Sequence, residues 1–267
     1  MHESSPSTTA TAPDEFDLKL NDAILRVRRL TIDPEQPTII FLHDSLGCIK
    51  LWRDFPDRLC VATNCNGVIY DRQGYGQSSP FTQPRNTDYL EKEANVVDAL
   101  LNELGLGQTI LFGHSDGGSI ALLAAAKSPT RVSAVITEGA HVFVEEITLE
   151  GIRTAKTQAA GLLRRLKKYH GENTEGAFDA WTETWLLPEF RDFNMEHCLP
   201  AIQCPVMVIQ GAEDEYGSEK QVDAIVDQVG GTSLKYMVPS VGHTPHRDAV
   251  ESVLDAAASF ISQFAQQ

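Results

Sequence analysis

Ser115 lies at the centre of a G-x-S-x-G pattern, in the stretch LFGHSDGGSIALLAA from position 111 to 125. An apolar run precedes this serine and a run of helix formers follows it, which predicts a strand, a sharp turn and a helix. Gly113 and Gly117 suit a turn in which neighbouring backbone comes too close for side chains. A serine exposed on such a turn is typical of a nucleophile. A structural serine in a glycine-rich loop is the alternative.

A nucleophilic serine needs a base and an orienting acid, and both residue types follow it in the chain. Asp214 lies in PVMVIQGAEDEYGS and His243 in MVPSVGHTPHRDAV. Each follows a predicted strand, so both side chains are expected at the carboxyl edge of a parallel sheet. We expect His243 to move the serine proton and Asp214 to orient the imidazole ring. Glu213 and Glu215 flank Asp214 and leave another placement of the acid open.

Two backbone N–H groups are candidates for stabilising an oxyanion. One belongs to Asp116, which follows the serine, and the other to Ser45 in the stretch FLHDSLG. One such donor lowers a barrier by roughly 3 to 4 kcal/mol in a well-measured case. The Asp116 carboxylate would repel an oxyanion, so we expect it to turn aside and to be stabilised by the helix N-terminus. His43, His114 and His246 are expected to pack beside the site.

The elements that must position these residues are visible as alternating strand and helix patterns. Short apolar runs predict strands buried on both faces at 38–43, 67–71, 108–113, 132–139, 205–211 and 233–238. A hairpin is predicted around Asn21 and Asp22, and helical patterns separate the later strands. This alternation predicts an α/β fold with a doubly wound, mostly parallel sheet.

Residues 141–199 interrupt the alternation with helical patterns and no convincing buried strand. The stretch IRTAKTQAAGLLRRLKKYHG carries one apolar stripe that ends at Gly171, and EGAFDAWTETWLL predicts a second helix. We expect a helical cap at 141–199, inserted into a core formed by 15–140 and 200–267, after a flexible tail at 1–14. Asp44, Trp181 and Trp185 are candidate substrate contacts, and packing inside the cap is the alternative for the tryptophans.

Composition limits the partners of the chain. A net charge of −15 argues against nucleic acid and anionic membranes. No secretory signal or membrane span is visible, so a soluble cytoplasmic protein is expected, as monomer or homodimer. The 5 cysteines lack zinc spacing and no nucleotide-binding loop is present, so neither a metal nor a cofactor is expected. The basic run at 164–168 predicts a solvated helix face, with a patch for an anionic substrate as the alternative.

The motifs together make the sequence resemble the α/β-hydrolase family over nearly the whole chain after the tail. FLHDSLG is similar to the family's oxyanion loop, with Asp44 where glycine is usual, and YDRQGYGQS is similar to its D-x-x-G-x-G-x-S loop. GHSDGG, GAED and GHTPH correspond to the nucleophile, acid and histidine loops. Asp116 also departs from the family, in which an apolar residue or glutamine is frequent at that position.

The resemblance implies an α/β-hydrolase fold with a helical cap. The hypothesis that follows is a serine hydrolase that cleaves a small carboxylic ester, thioester or related acyl compound through an acyl-enzyme. C–C bond hydrolysis and cofactor-free oxygenation are alternatives within the same fold, and a small-molecule receptor or signalling protein is an alternative of another class. Ser115 argues against the haloalkane dehalogenases and epoxide hydrolases of the fold, whose nucleophile is aspartate.

Overall fold

The computed structural model describes residues 14–264, which build an eight-stranded sheet. The strands are β1 (Asp14–Leu20), β2 (Ala23–Leu30), β3 (Thr38–Leu42), β4 (Asn66–Tyr70), β5 (Thr109–His114), β6 (Val132–Glu138), β7 (Val206–Gly211) and β8 (Ser233–Val238). Their order in the sheet is β1-β2-β4-β3-β5-β6-β7-β8. β1 and β2 form the expected hairpin, β2 pairs with β4 in antiparallel fashion, and all the other pairs are parallel. The predicted mostly parallel α/β sheet is therefore confirmed.

The predicted flexible tail lies outside the described residues, except for Asp14, which begins β1. The helices are α1 (Phe55–Thr63), α2 (Tyr89–Glu103), α3 (Asp116–Lys127), α4 (Glu146–Thr157), α5 (Ala159–His170), α6 (Thr174–Trp185), α7 (Glu219–Gln228), α8 (Pro245–Asp248) and α9 (Val250–Phe264). In the span from 14 to 264, no helix combines the length and the apolar character needed to cross a membrane.

Helices cover both faces of the sheet, as the continuous apolar runs predict. Along β5, Ile110 and Phe112 belong to the core shared with α1 and α9, whereas Leu111 belongs to the core shared with α2, α3 and α7. This alternation follows from the two-residue period of a strand. The expectation of burial on both faces is wrong for β8, where Leu234 is 38% exposed. β8 is the last strand of the sheet and pairs with β7 alone. Most of its residues are therefore exposed or only half-buried.

Three helices, α4, α5 and α6, lie between β6 and β7. The sequence predicts one continuous helix through 152–170, but the structure breaks it at Gln158, where φ is −101° and ψ is 12°. Both resulting helices pack against α6. A single straight helix through α4 and α5 would be about 37 Å long at 1.5 Å per residue, about twice the length of the 12-residue α6. α5 then ends at Gly171, which has a φ of 53°.

The turn between β5 and α3 depends on two close backbone approaches. A Cβ atom on Gly113 would lie 2.1 Å from the carbonyl oxygen of Gly117. A Cβ atom on Gly117 would lie 1.9 Å from the carbonyl oxygen of Leu42. Helix α3 can therefore pack directly against β3 and β5 because these positions have no side chains.

We expect the substitution Gly117→Ala to lower the free energy of unfolding by about 1 to 3 kcal/mol or more, because the added methyl group meets backbone that cannot rotate away. Denaturant unfolding monitored by circular dichroism measures the change. Gly161→Ala is the matched control, since a Cβ atom at Gly161 in α5 meets nothing within 4 Å. The control should raise stability by about 0.5 to 1 kcal/mol. Equal stability of the two variants would contradict this account of the turn.

Candidate active site

Ser115 lies at the sharp turn between β5 and α3. Its backbone has φ 55° and ψ −120°, a conformation that L-residues rarely adopt. The N–H of Ser115 donates to the carbonyl of Glu138 at 2.7 Å, and its own carbonyl accepts from the N–H of Gly118 at 2.8 Å. A conformation of this kind costs of order 1 to 3 kcal/mol and persists only where surrounding structure enforces it. Here the enforcing contacts come from both β6 and α3.

His243 and Asp214 form a hydrogen-bonded pair at the same edge of the sheet. His243 lies in the loop between β8 and α8, and its Nδ1 is 2.9 Å from each carboxylate oxygen of Asp214, which follows β7. An ionised carboxylate only accepts hydrogen bonds, so Nδ1 carries the proton and Nε2 is free to accept one. Burial opposes ionisation of Asp214, but the charge and hydrogen bond of His243 outweigh it and lower the pKa of that carboxyl.

The residues predicted as site residues meet at one cavity of about 370 Å³. Ser115 and His243 line it, and Asp214 supports His243 from behind. The other predicted residues that line it are Asp44, Ser45, Asp116, Trp181 and Trp185. Its apolar wall also includes Ile152 and Leu162, so α4, α5 and α6 contribute most of that wall.

Both predicted oxyanion donors line the same cavity as Ser115. Ser45 is in the loop after β3, and its N–H donates to no backbone carbonyl in the hydrogen-bond network of the described residues. Asp116 is the first residue of α3, a position whose N–H has no partner within the helix. The arrangement leaves two backbone donors for a negatively charged oxygen formed at Ser115.

The Asp116 carboxylate is buried among partners that sequence reasoning missed. Its Oδ1 accepts the hydroxyl proton of Tyr89 at 2.9 Å. Its Oδ2 lies 3.6 Å from Nη2 of Arg85 and 3.8 Å from Nη2 of Arg72. Arg72 lies in the YDRQGYGQS loop and Arg85 follows the same loop. Their position at this motif is the one feature of the sequence that could have indicated them. Two buried guanidinium groups thus compensate the negative charge of Asp116. The sequence had suggested the N-terminus of α3 for this role.

His114 connects the loop of Ser45 with the loop of His243. Its Nε2 donates to the carbonyl of His243 at 2.8 Å, and its Nδ1 lies 3.8 Å from Oδ1 of Asp44. Burial would lower the pKa of His114, but the contact with Asp44 and the charge of Glu138 outweigh it and raise that pKa to about 9. His114 is therefore an imidazolium at neutral pH. Asp44, which replaces the glycine usual in the family, supplies its counter-charge.

Glu138, at the end of β6, is a second buried acid near the site, and it was not among the residues predicted from the sequence. Its Oε2 lies 2.6 Å from Nδ1 of His246, and its Oε1 accepts the backbone N–H of His246. Burial would raise the pKa of Glu138, but the charges of His246 and His114 lower it. Glu138 therefore serves His246, which leaves Asp214 as the carboxylate partner of His243. An acidic residue at the end of an apolar strand was the available sequence signal.

Two further histidines fix the loops around the cavity. His43 accepts the N–H of Arg72 on Nε2 at 3.0 Å, so its Nδ1 donates to the carbonyl of Asp44 at 2.7 Å. His170, at the end of α5, accepts the N–H of Gly76 at 2.9 Å and donates to the carbonyl of Leu46 at 2.9 Å.

In the part of the chain from 14 to 264, no group of three or more His, Cys, Asp and Glu residues is arranged to hold a metal ion.

Comparison with known proteins identifies relatives of this arrangement. A family model described as alpha/beta hydrolase fold matches residues 37–196. The serine hydrolase BPHL of Mus musculus is 29% identical over 250 residues, which cover 90% of this chain and 84% of that protein. The Homo sapiens protein of the same name is 29% identical over 203 residues, covering 73% of this chain and 68% of the human one. A solved structure of a serine hydrolase involved in carbazole degradation, the CarC enzyme, superposes with a TM-score of 0.72 at 19% identity, covering 94% of this chain and 100% of that one.

The pairing of His114 with Asp44 predicts a loss of stability at alkaline pH. The pKa of His114 is raised in the folded state to about 9, so its contribution is complete below the ordinary value of about 6.5 and is lost as the pH rises through 9. We expect the free energy of unfolding to fall between pH 6.5 and pH 9.5. The variant Asp44→Asn removes the counter-charge and should show a smaller fall. Urea unfolding at the two pH values measures this, and an equal fall in both proteins would contradict the charged pair.

Proposed function

Since the chain belongs to the α/β-hydrolase family, we propose that it is a serine hydrolase that cleaves a small carboxylic ester, thioester or related acyl compound through an acyl-enzyme. One observation carries the proposal. Ser115, held on a turn with a φ of 55°, shares a cavity with His243, whose Nδ1 proton is bound by Asp214. The similarity to the mouse and human proteins named serine hydrolase BPHL supports it.

In this mechanism, Oγ of Ser115 attacks the carbonyl carbon of the substrate while Nε2 of His243 takes the hydroxyl proton. The resulting oxyanion accepts hydrogen bonds from the N–H groups of Ser45 and Asp116. The carbonyl re-forms, the bond to the leaving oxygen or sulfur breaks, and His243 returns the proton to the leaving group. Water then attacks the acyl-enzyme with His243 again as the base. The bond between the acyl carbon and Oγ of Ser115 breaks, His243 returns the proton to Oγ, and the acid is released. Ionised Asp214 stabilises the imidazolium that forms in each half-reaction.

The charges beneath the nucleophile suit this chemistry. A bare carboxylate on Asp116 would oppose negative charge on the oxyanion, whose donor is the N–H of the same residue. The hydroxyl of Tyr89 and the guanidinium groups of Arg72 and Arg85 draw that carboxylate away and compensate its charge. The site is thereby adapted to developing negative charge.

The apolar wall suits the acyl part of the substrate. Trp185 donates its indole N–H to the hydroxyl of Tyr89 at 2.9 Å, which fixes the ring in one orientation. Trp181 packs edge-on against Tyr216, with ring centroids 6.0 Å apart. Together with Ile152 and Leu162, these rings leave an apolar space beside Ser115 for a short aliphatic or aromatic acyl chain.

We expect a fluorophosphonate probe to label the purified protein rapidly and to leave the variant Ser115→Ala unlabelled, because the probe reacts with an activated serine. Gel fluorescence and intact-protein mass measure the labelling, and circular dichroism verifies that the variant is folded. Absence of labelling in folded wild-type protein, together with tight binding of a small molecule, would replace the hydrolase mechanism with a receptor function. Labelling without turnover across a panel of esters and thioesters would favour C–C bond hydrolysis.

The variant Asp214→Asn should lower kcat for a p-nitrophenyl ester by about 10⁴-fold, because an amide cannot hold the His243 tautomer required of the base. The value of KM should change far less, since Asp214 does not line the cavity. Steady-state kinetics measures both constants. A kcat within tenfold of wild type would rule out Asp214 as the orienting acid.

A further inference from the structure

The acidic side chains that line the cavity already have partners within the protein. Asp44 faces the imidazolium of His114 at 3.8 Å, and Asp116 lies against two buried arginines. Glu215 accepts the backbone N–H of His243 at 3.1 Å. Asp44 and Asp116 are therefore paired with positive groups of the chain itself, whereas Glu215 is exposed and accepts one backbone hydrogen bond.

The two arginines that line the cavity differ from each other. Arg247 pairs through Nε with Oδ1 of Asp248 at 2.9 Å. Arg165 has no carboxylate within ion-pair distance and no side-chain hydrogen bond anywhere in the described chain. It lies three residues after Leu162 on α5, so both side chains share the helix face that borders the cavity. Arg165, whose side chain is exposed, is therefore the arginine of the cavity without a carboxylate partner.

Among the described arginines without a carboxylate within ion-pair distance, which are Arg29, Arg53, Arg164 and Arg165, Arg165 is the one that lines the cavity. The chain has 37 acidic residues against 22 lysines and arginines, so many exposed arginines lie beside carboxylates. Exposed or partly exposed arginines elsewhere that lie within 3.1 Å of a carboxylate are Arg26, Arg28, Arg58, Arg153 and Arg191. Arg164 is exposed and unpaired as well, but it does not line the cavity. The adjacent residue thus offers a matched comparison for Arg165.

We propose that Arg165 binds a carboxylate at the far end of the substrate's acyl chain, so that the preferred substrates are monoesters or monothioesters of dicarboxylic acids. This inference rests on the proposed serine hydrolase function. Ser115 lies on the sheet side of the cavity, whereas Arg165 belongs to α5, and Ile152, Leu162 and Trp181 line the cavity with them. A substrate with its carbonyl at Ser115, methylene groups against these apolar residues and a terminal carboxylate at Arg165 would use all of these lining groups. A guanidinium binds a carboxylate in bidentate fashion.

The test compares mono-p-nitrophenyl glutarate with p-nitrophenyl pentanoate, which has the same acyl chain length and no charge. Wild-type protein should hydrolyse the glutarate ester with a kcat/KM higher by about tenfold or more, the effect of one charge-assisted contact. The variant Arg165→Gln should lose that preference through a higher KM for the glutarate ester, with a much smaller change in KM for the pentanoate ester. Arg164→Gln should retain the preference, and 0.5 M NaCl should weaken it in wild type.

Several outcomes would overturn the inference while leaving the hydrolase function intact. These are equal kcat/KM for the two esters, or the same loss of preference in Arg164→Gln as in Arg165→Gln. A preference confined to 4-carboxyphenyl pentanoate would put the anion on the leaving group and overturn the acyl-side assignment.

If neither ester is hydrolysed and the fluorophosphonate probe fails to label the protein, the proposed function has failed. Calorimetry with monomethyl glutarate then decides the Arg165 contact: weaker binding by Arg165→Gln alone supports it, and equal binding by all three proteins refutes it.

Discussion

The contact between α3 and the two central strands is the constraint on which the site depends. Gly113 and Gly117 let the helix backbone approach β3 and β5 so closely that no side chain fits between them. The resulting turn forces Ser115 into a positive φ, and the hydrogen bond from its N–H to Glu138 holds it there. The folded core thus supplies the energy that keeps the serine exposed at the sheet edge.

Charge compensation beneath the cavity is the second constraint. Buried ionised groups are expensive unless they are paired, and removing one partner leaves the other uncompensated. Asp116 has arginine partners, Asp44 has His114, and Glu138 has His246. These pairs connect the segment after β4 with the start of α3, the loop after β3 with the end of β5, and the end of β6 with α8. The same contacts that neutralise the charges therefore also hold these segments at fixed positions relative to one another.

Two parts of the fold line the cavity and contribute different kinds of residues. The loops of the sheet supply the serine, the histidine, the acid and the backbone donors, whereas α4, α5 and α6 supply most of the apolar wall and Arg165. His170 joins the two parts, since its ring bridges the N–H of Gly76 and the carbonyl of Leu46. Under the proposed function, substitutions in the two parts should therefore alter reaction chemistry and substrate preference separately.

The sequence by itself determined the α/β sheet and the order of its motifs, because apolar runs, glycines and turn residues act locally on the backbone. Ser115, Asp214 and His243 were recognisable because each follows a predicted strand, and parallel strands end at one edge. Tertiary structure alone decided the break at Gln158, the exposed outer half of β8 and the partners of Glu138 and Asp116. Glu138 and His246 are 108 positions apart, and no local pattern encodes a distance across that separation. Such partners are chosen by the packing of distant segments, which is a property of the folded chain.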